Sequence, residues 1–260
     1  RGKITGNTNI LLSRIADGLN NTTVIIYRKL TDQYSPYTKG TSVPEFPVFT
    51  YQGPLTVVEE WFVNGGVTTS PEYSYQGLKI HRQGKGALGY EQLTVEDTHQ
   101  GTKTEIYSDY DSTYYFPTVL SVKNYADNTL VKYTRNVWDK CVTKTKTDGL
   151  KDPIFPHVGY TLNQDVLKGQ QDSTTFFYDT TIKGSLKEAK QKFDNGVTQT
   201  TTNSYYSNDE TNWYIGRLHE TIIKFEKSGE TTQSNKTTYT YFTDGILKPD
   251  FIRYNVGTNW

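Results

Sequence analysis

The chain has 260 residues, with 28 basic and 28 acidic side chains and a pI near 7. That balance speaks against a nucleic-acid binder, whose affinity rests on a basic excess that neutralises phosphate. No run of about 18 apolar residues is available to cross a membrane as a helix. The 21 tyrosines and the threonine runs such as Thr200-Thr201-Thr202 suit a pleated, half-buried surface, so composition points to β-sheet.

Period-two alternation recurs along the chain and predicts strands at Thr22 to Leu30, Leu55 to Val63 and Pro71 to Tyr75, with Tyr73 and Tyr75 on one face. Asn64-Gly65-Gly66 reads as a hairpin turn between the second and third of these. Gly89 to Glu96 and Thr102 to Tyr110 form a further pair, joined by the Asp/Gly turn Asp97 to Gly101. In the second half the candidates are Thr129 to Trp138, Thr174 to Ile182, Thr198 to Tyr206, Trp213 to Phe225, Thr231 to Phe242 and Ile246 to Tyr254. Turn chemistry marks Asp127-Asn128, Asp194-Asn195-Gly196, Ser228-Gly229 and Asp244-Gly245. Gln33 to Pro54, with four prolines, reads as loop or edge, and Thr147 to Leu167, with Pro153 and Pro156, as a break between two regions. Ser185-Leu186-Lys187-Glu188 has the form of a helix capping box, yet the following Asp194-Asn195-Gly196 belongs to a hairpin. Several of these strands exceed the usual five or six residues, which suggests an extended sheet that curls.

Few residues look like chemistry. Cys141 is the only cysteine, which excludes an internal disulfide and a cysteine zinc site, and it reads as a small buried apolar residue. Gly84-Lys85-Gly86-Ala87-Leu88-Gly89 matches the dinucleotide pattern G-x-G-x-x-G, but a strand pattern follows it where a helix is required. Those glycines read as a bend or bulge between strands. His81, His99, His157 and His219 lack metal-ligand spacing, no G-x-S-x-G elbow occurs, and Glu59-Glu60 point to opposite sheet faces. No catalytic, cofactor or metal residue is therefore assigned. The chain contains no methionine, begins at Arg1 and ends at Trp260 in strand-like sequence, and is expected to be an internal piece of a longer, incomplete structural unit.

Several blocks, taken in order, resemble a known family. Ser13 to Leu19, which includes Gly18, with Thr22 to Tyr27 and Leu30-Thr31-Asp32, is similar to the start of a middle region in Tc-toxin B components and SpvB-like proteins. Tyr73-Ser74-Tyr75-Gln76-Gly77, then Arg82 to Tyr90 with Gly84, Gly86 and Gly89, resembles a later block, although Ala87 stands where that family often has phenylalanine. Asn212-Trp213-Tyr214-Ile215-Gly216-Arg217-Leu218 resembles the motif that follows, and Tyr239 and Tyr241 ahead of Asp244-Gly245 resemble a degenerate YD repeat.

The resemblance implies an Rhs/YD-repeat protein and assigns structural roles to Gly18, Gly84, Gly86, Gly89, Trp213, Gly216, Arg217, Leu218, Tyr239 and Tyr241. It implies an all-β fold of long antiparallel strands in a curled, shell-like sheet with few or no helices. Residues 1–150 would form a toxin-B middle-region-like segment, and 151–260 a YD-repeat-like segment continuing the same sheet. It favours strand for Leu186 to Phe193 and transfers no self-cleavage site, since Asp152-Pro153 lacks the flanking pattern. The expected function is structural: a shell segment of an exported bacterial protein, secreted or at the cell surface. Its partners would be the rest of the polypeptide and an enclosed C-terminal effector, with no nucleic acid, transmembrane segment or cofactor. The alternative is a glycan-binding β module, favoured if Trp61, Trp138, Trp213 and Trp260 cluster in an exposed groove and disfavoured if they scatter or face a sheet interior.

Overall fold

The computed structural model describes residues 11–19, 21–64, 69–147, 149–182, 184–211, 214–241 and 249–257. Among them there is no helix, hence none long and apolar enough to cross a membrane. The chain divides into two compact units, Arg1–Val131 and Lys132–Trp260.

In the first unit the main sheet holds β1 (Arg14–Ala16), β2 (Thr22–Lys29), β5 (Thr56–Asn64), β6 (Glu72–Gln76), β9 (Gln92–Asp97), β10 (Thr102–Tyr110) and β11 (Pro117–Ala126), paired antiparallel in that order. A short β3 (Tyr37–Thr38) adds one parallel pairing to β6. A second, small sheet is built from β4 (Val48–Thr50), β7 (Lys79–His81) and β8 (Gly86–Gly89). The core is small: Leu30, Tyr37, Val57 and Leu78 are buried together, with Tyr51, Tyr75, Ile80 and Tyr90 packed against them.

The second unit is an up-and-down meander in which each strand pairs antiparallel with its sequence neighbour: β12 (Thr129–Val142), whose residues from Lys132 belong here, β13 (Ile154–Asp165), β14 (Gln170–Asp179), β15 (Ser185–Lys192), β16 (Thr198–Tyr205), β17 (Leu218–Glu226), β18 (Gln233–Tyr241) and β19 (Pro249–Gly257). Among its described residues Cys141 alone is a buried apolar side chain. Backbone ladders and cross-strand pairs therefore hold this unit, in place of a packed interior.

One such pair recurs. Asparagine and threonine lie directly opposite each other at Thr104/Asn124, Thr134/Asn163, Asn136/Thr161 and Asn203/Thr221, and each threonine hydroxyl donates to the asparagine side-chain oxygen at 2.9–3.1 Å. A second motif lies on β10 and β11. Glu105 accepts from the hydroxyls of Tyr107 and Tyr125, both at 3.0 Å, while Lys103 pairs with it at 3.3 Å and lies over the Tyr125 ring. Burial would raise the Glu105 pKa, but these donors outweigh it and hold the carboxyl below its usual range. Burial, and then the carboxylate, push Tyr107 up to about 12.

The bulges in the second unit are periodic. Gly159, Lys187, His219 and Asp250 are each an extra residue in the register, one on every second strand; Gly159 lies in mid-strand and the other three near the connection that precedes their strand. Leu120 holds the same place in the β10–β11 hairpin of the first unit. An extra residue bends its strand and increases its twist. At Lys187 the bulge ends the β15–β16 ladder, and the freed Leu186 carbonyl is taken by the Tyr205 hydroxyl at 2.7 Å and the Asn203 side-chain amide at 3.0 Å.

Most expected strands and turns are present. Asp127 and Asn128 take positive φ values of 46° and 62°, as a tight hairpin needs, and Gly196 and Gly229 close the later turns at 81° and 79°. Residues 185–192 form a strand, so the capping-box pattern at Ser185 is overridden by pairing on both sides. The short strands β1 and β7 and two long ones depart from expectation. β11 arises where no strand is expected, and β13 runs through much of the supposed break at 147–167. Its Pro156 is tolerated because β14 joins β13 only from Tyr160 onward, leaving the proline stretch with one strand partner. The unit boundary after Val131 differs from the expected division at residue 150, which falls in the β12–β13 connection. The turns expected at Asn64-Gly65-Gly66 and Asp244-Gly245 lie outside the described residues, apart from the Asn64 backbone.

Candidate functional site

Four groupings of polar or aromatic residues come into question. The first gathers motif residues of the second unit. Gly216, at φ 69°, turns the chain into β17, and its N–H donates to the Asn208 side-chain oxygen at 3.2 Å. Arg217 then enters an aromatic enclosure, its guanidinium carbon 5.2 Å from the Tyr214 ring centre, 5.7 Å from Tyr206 and 5.9 Å from Tyr241. Its Nε is buried without a hydrogen-bond acceptor, so the rings carry the stabilisation. Leu218 pairs with Tyr205, and the Tyr206 hydroxyl donates to the Tyr239 carbonyl at 2.9 Å. Burial raises the Tyr241 pKa and outweighs the opposing pull of the Leu218 backbone and of Arg217. The structure thus brings Gly216, Arg217, Leu218, Tyr239 and Tyr241 together, while Trp213 lies outside the described residues. The enclosure is filled by the chain's own arginine. It knots a loop to β18.

The second grouping is the β7–β8 hairpin. Gly84, Gly86 and Gly89 all have positive φ, at 96°, 77° and 105°, and a register shift falls between Lys79 and Ile80. All three glycines serve strand geometry, and no helix follows them. Gly18 lies apart, in the exposed turn from β1 to β2, where the Asp17 carboxylate accepts from the backbone of Leu19 and Asn21 and from the Asn21 side chain.

Beneath that hairpin lies the third grouping, a buried charge cluster. Lys79, 5% exposed, meets Glu91 at 2.6 Å, the Thr50 hydroxyl at 2.8 Å and the Ser42 hydroxyl at 2.5 Å. Ser42 also donates to Glu91. Gly40 and Gly77, both at positive φ, leave the space that the Glu91 carboxylate occupies. Lys79 thereby ties Ser42, Thr50 and Glu91 together. Among the described residues no three His, Cys, Asp or Glu groups converge on a metal position.

The fourth is a groove in the first unit. Strands β5 and β6 share only the Glu60/Glu72 register pair and then part, β5 staying with β2 while β6 pairs with β9 and β3. Thr23, Ile25, Val58, Trp61, Tyr73 and Tyr75 line a 430 Å³ cavity there. A register shift at Ile26/Tyr27 makes Glu59 the extra residue and sets Val58 and Trp61 on the same face. The Trp61 Nε1–H donates to the Tyr73 hydroxyl at 3.1 Å, and the Tyr75 hydroxyl donates to the Val58 carbonyl at 2.8 Å. Tyr73 and Tyr75 stack 6.4 Å apart, as their shared face requires. Burial, then Tyr90 and Tyr73, push Tyr75 up to about 12. Trp138 lies in the other unit, and Trp213 and Trp260 lie outside the described residues. Periodicity alone indicates the Tyr73/Tyr75 face. The bulge that completes the groove has no sequence signature.

These features define a class first: an all-β protein of antiparallel strands paired in sequence order over most of its length. No protein-family model and no curated protein matches the chain. A solved structure, titled "Crystal Structure of TcdB2-TccC3-TEV", is similar to it with a TM-score of 0.59 and 10% sequence identity, over 88% of this chain and 17% of that one. This chain therefore spans a small part of that chain's length, and at such identity the likeness is one of fold: an all-β segment resembling part of a Tc-toxin B component.

Proposed function

We propose that this chain is a wall segment of a larger exported Rhs/Tc-toxin-B-like protein, secreted or displayed by a bacterium, whose strands help to enclose a toxin or effector polypeptide. Its partners are then the rest of the same polypeptide and the enclosed cargo, and it makes and breaks no bond of its own. The observation that carries this reading is the row of paired strands in the second unit, with a bulge in every second pairing and nearly devoid of buried apolar side chains. Such a row suits a sheet wetted on both faces better than a self-contained globule. The fold likeness to part of a Tc-toxin B component supports the same reading.

A wall segment meets further wall at its edges. Among the described residues β1 pairs only with β2, and β19 only with β18. Exposed edges of this kind recruit strands from other copies. Light scattering of the isolated chain is therefore expected to show a mass that rises along a concentration series. A concentration-independent monomer with a cooperative melt would contradict the wall reading and favour an autonomous domain.

A further inference from the structure

We propose that the groove between β5 and β6 is a binding site for a neutral saccharide of one or two pyranose rings. A pyranose presents an apolar C–H face and a rim of hydroxyls, and the groove offers a counterpart to each. Trp61, Tyr73 and Tyr75 supply ring surface, extended by Ile25 and Val58. The rings are held before any ligand arrives: the indole by its bond to Tyr73, and Tyr75 by its bond to Val58 and by Tyr90, 4.9 Å away on the core side. A floor fixed in this way loses little conformational entropy on binding. The volume, 430 Å³, falls within the range of about 300–1,000 Å³ typical of small-molecule sites.

Polarity separates a sugar from other occupants. The Thr23 hydroxyl has no partner among the described residues, and the Tyr73 hydroxyl accepts from Trp61 while its own proton has no acceptor among them. A hydrocarbon would cover both hydroxyls and leave them unsatisfied, which is costly. The nearby charges are committed elsewhere: Glu59 to Arg28 at 2.8 Å and Glu60 to the Ser70 hydroxyl at 2.5 Å. No charged side chain lines the cavity, so nothing there selects an ionised sugar. The site lies wholly in the first unit and does not depend on the wall reading, since a wall segment and an autonomous module can both carry it.

The test is calorimetric titration of the chain with cellobiose, lactose and N,N′-diacetylchitobiose, with 8-anilinonaphthalene-1-sulfonate as an apolar control. At least one disaccharide is expected to bind saturably, and Trp61→Ala to abolish that binding. Because Trp61→Ala can also disturb the sheet, Thr23→Val is the second variant. It keeps shape and strand preference, and is expected to leave the melting temperature unchanged while weakening binding about five-fold, the effect of one lost hydrogen bond. Three results overturn the proposal: no saturation by any disaccharide, saturation by the apolar dye alone, or saccharide binding that Thr23→Val leaves unchanged.

Discussion

Replacing Asp97 with alanine is expected to lower the stability of the first unit by about 3 kcal/mol, a fall of roughly 10 °C in melting temperature. Asp97 is 6% exposed and takes four hydrogen bonds, from the Thr69 hydroxyl at 2.5 Å and from the backbone N–H groups of Ser70, His99 and Gln100 at 3.2, 3.0 and 3.1 Å. One carboxylate therefore closes the β9–β10 turn and ties it to the segment entering β6. Alanine would leave four donors without this acceptor, of which those of Thr69 and Ser70 are half-buried and those of His99 and Gln100 belong to exposed residues. The pH dependence follows. Burial raises the Asp97 pKa, but the hydrogen bonds from Thr69, Gln100, Ser70 and His99 outweigh it and hold the carboxyl below the ordinary range. A depressed folded-state pKa gives stability that is complete above the unfolded value, about 3.9, and is lost as pH falls through the folded value. Urea unfolding at pH 7 and again below pH 4 should therefore show the alanine penalty shrinking in acid. A penalty independent of pH would contradict the assigned role of the carboxylate.

Glu91→Ala is expected to be at least as damaging, at about 3–5 kcal/mol, because it strands the Lys79 ammonium in a buried position with only hydroxyls and a carbonyl for company. Lys79 cannot readily turn outward, since its side chain is nearly enclosed and its strand pairs with both β4 and β8. The double variant Lys79→Met/Glu91→Gln removes both charges while roughly keeping volume. It should recover at least half of the single-variant loss, as buried pairs generally do when replaced together. Chemical denaturation of Lys79→Met, Glu91→Gln and the double variant gives the coupling directly. Equal and additive losses would mean that the cluster fixes the 41–50 loop by packing alone.

Much of the strand content could be read from the chain, because its signals are local. Alternation and Asn/Asp-Gly chemistry mark β2, β10, β16 and the turns at Asp127, Asn195 and Gly229, and the structure follows them. At Ser185 local propensity pointed to helix, and a strand forms because β14 and β16 pair with it on both sides. β13 was obscured by Pro156, whose cost depends on which edge of the strand is free, a property of the sheet and not of the sequence. The Thr–Asn pairs and the periodic bulges depend on register between strands, and nothing in either strand alone announces them. The sites divide likewise. Gly216, Arg217, Leu218, Tyr239 and Tyr241 were visible as motif residues and do converge, yet Tyr206, which joins them, carries no motif. Tyr73 and Tyr75 were visible as one face, whereas Val58 reaches the groove only through the shift at Glu59.

That this segment acts as wall is tested most directly by protease protection of the polypeptide C-terminal to it, within the intact protein that carries this chain. If the segment encloses cargo, that polypeptide should survive a broad-specificity protease about ten-fold longer, or more, than the same polypeptide alone. Asp97→Ala combined with Arg217→Ala should shorten its lifetime toward the free value, because cleavage follows the population of opened wall. Equal cleavage rates for the polypeptide in the intact protein and alone would contradict enclosure outright.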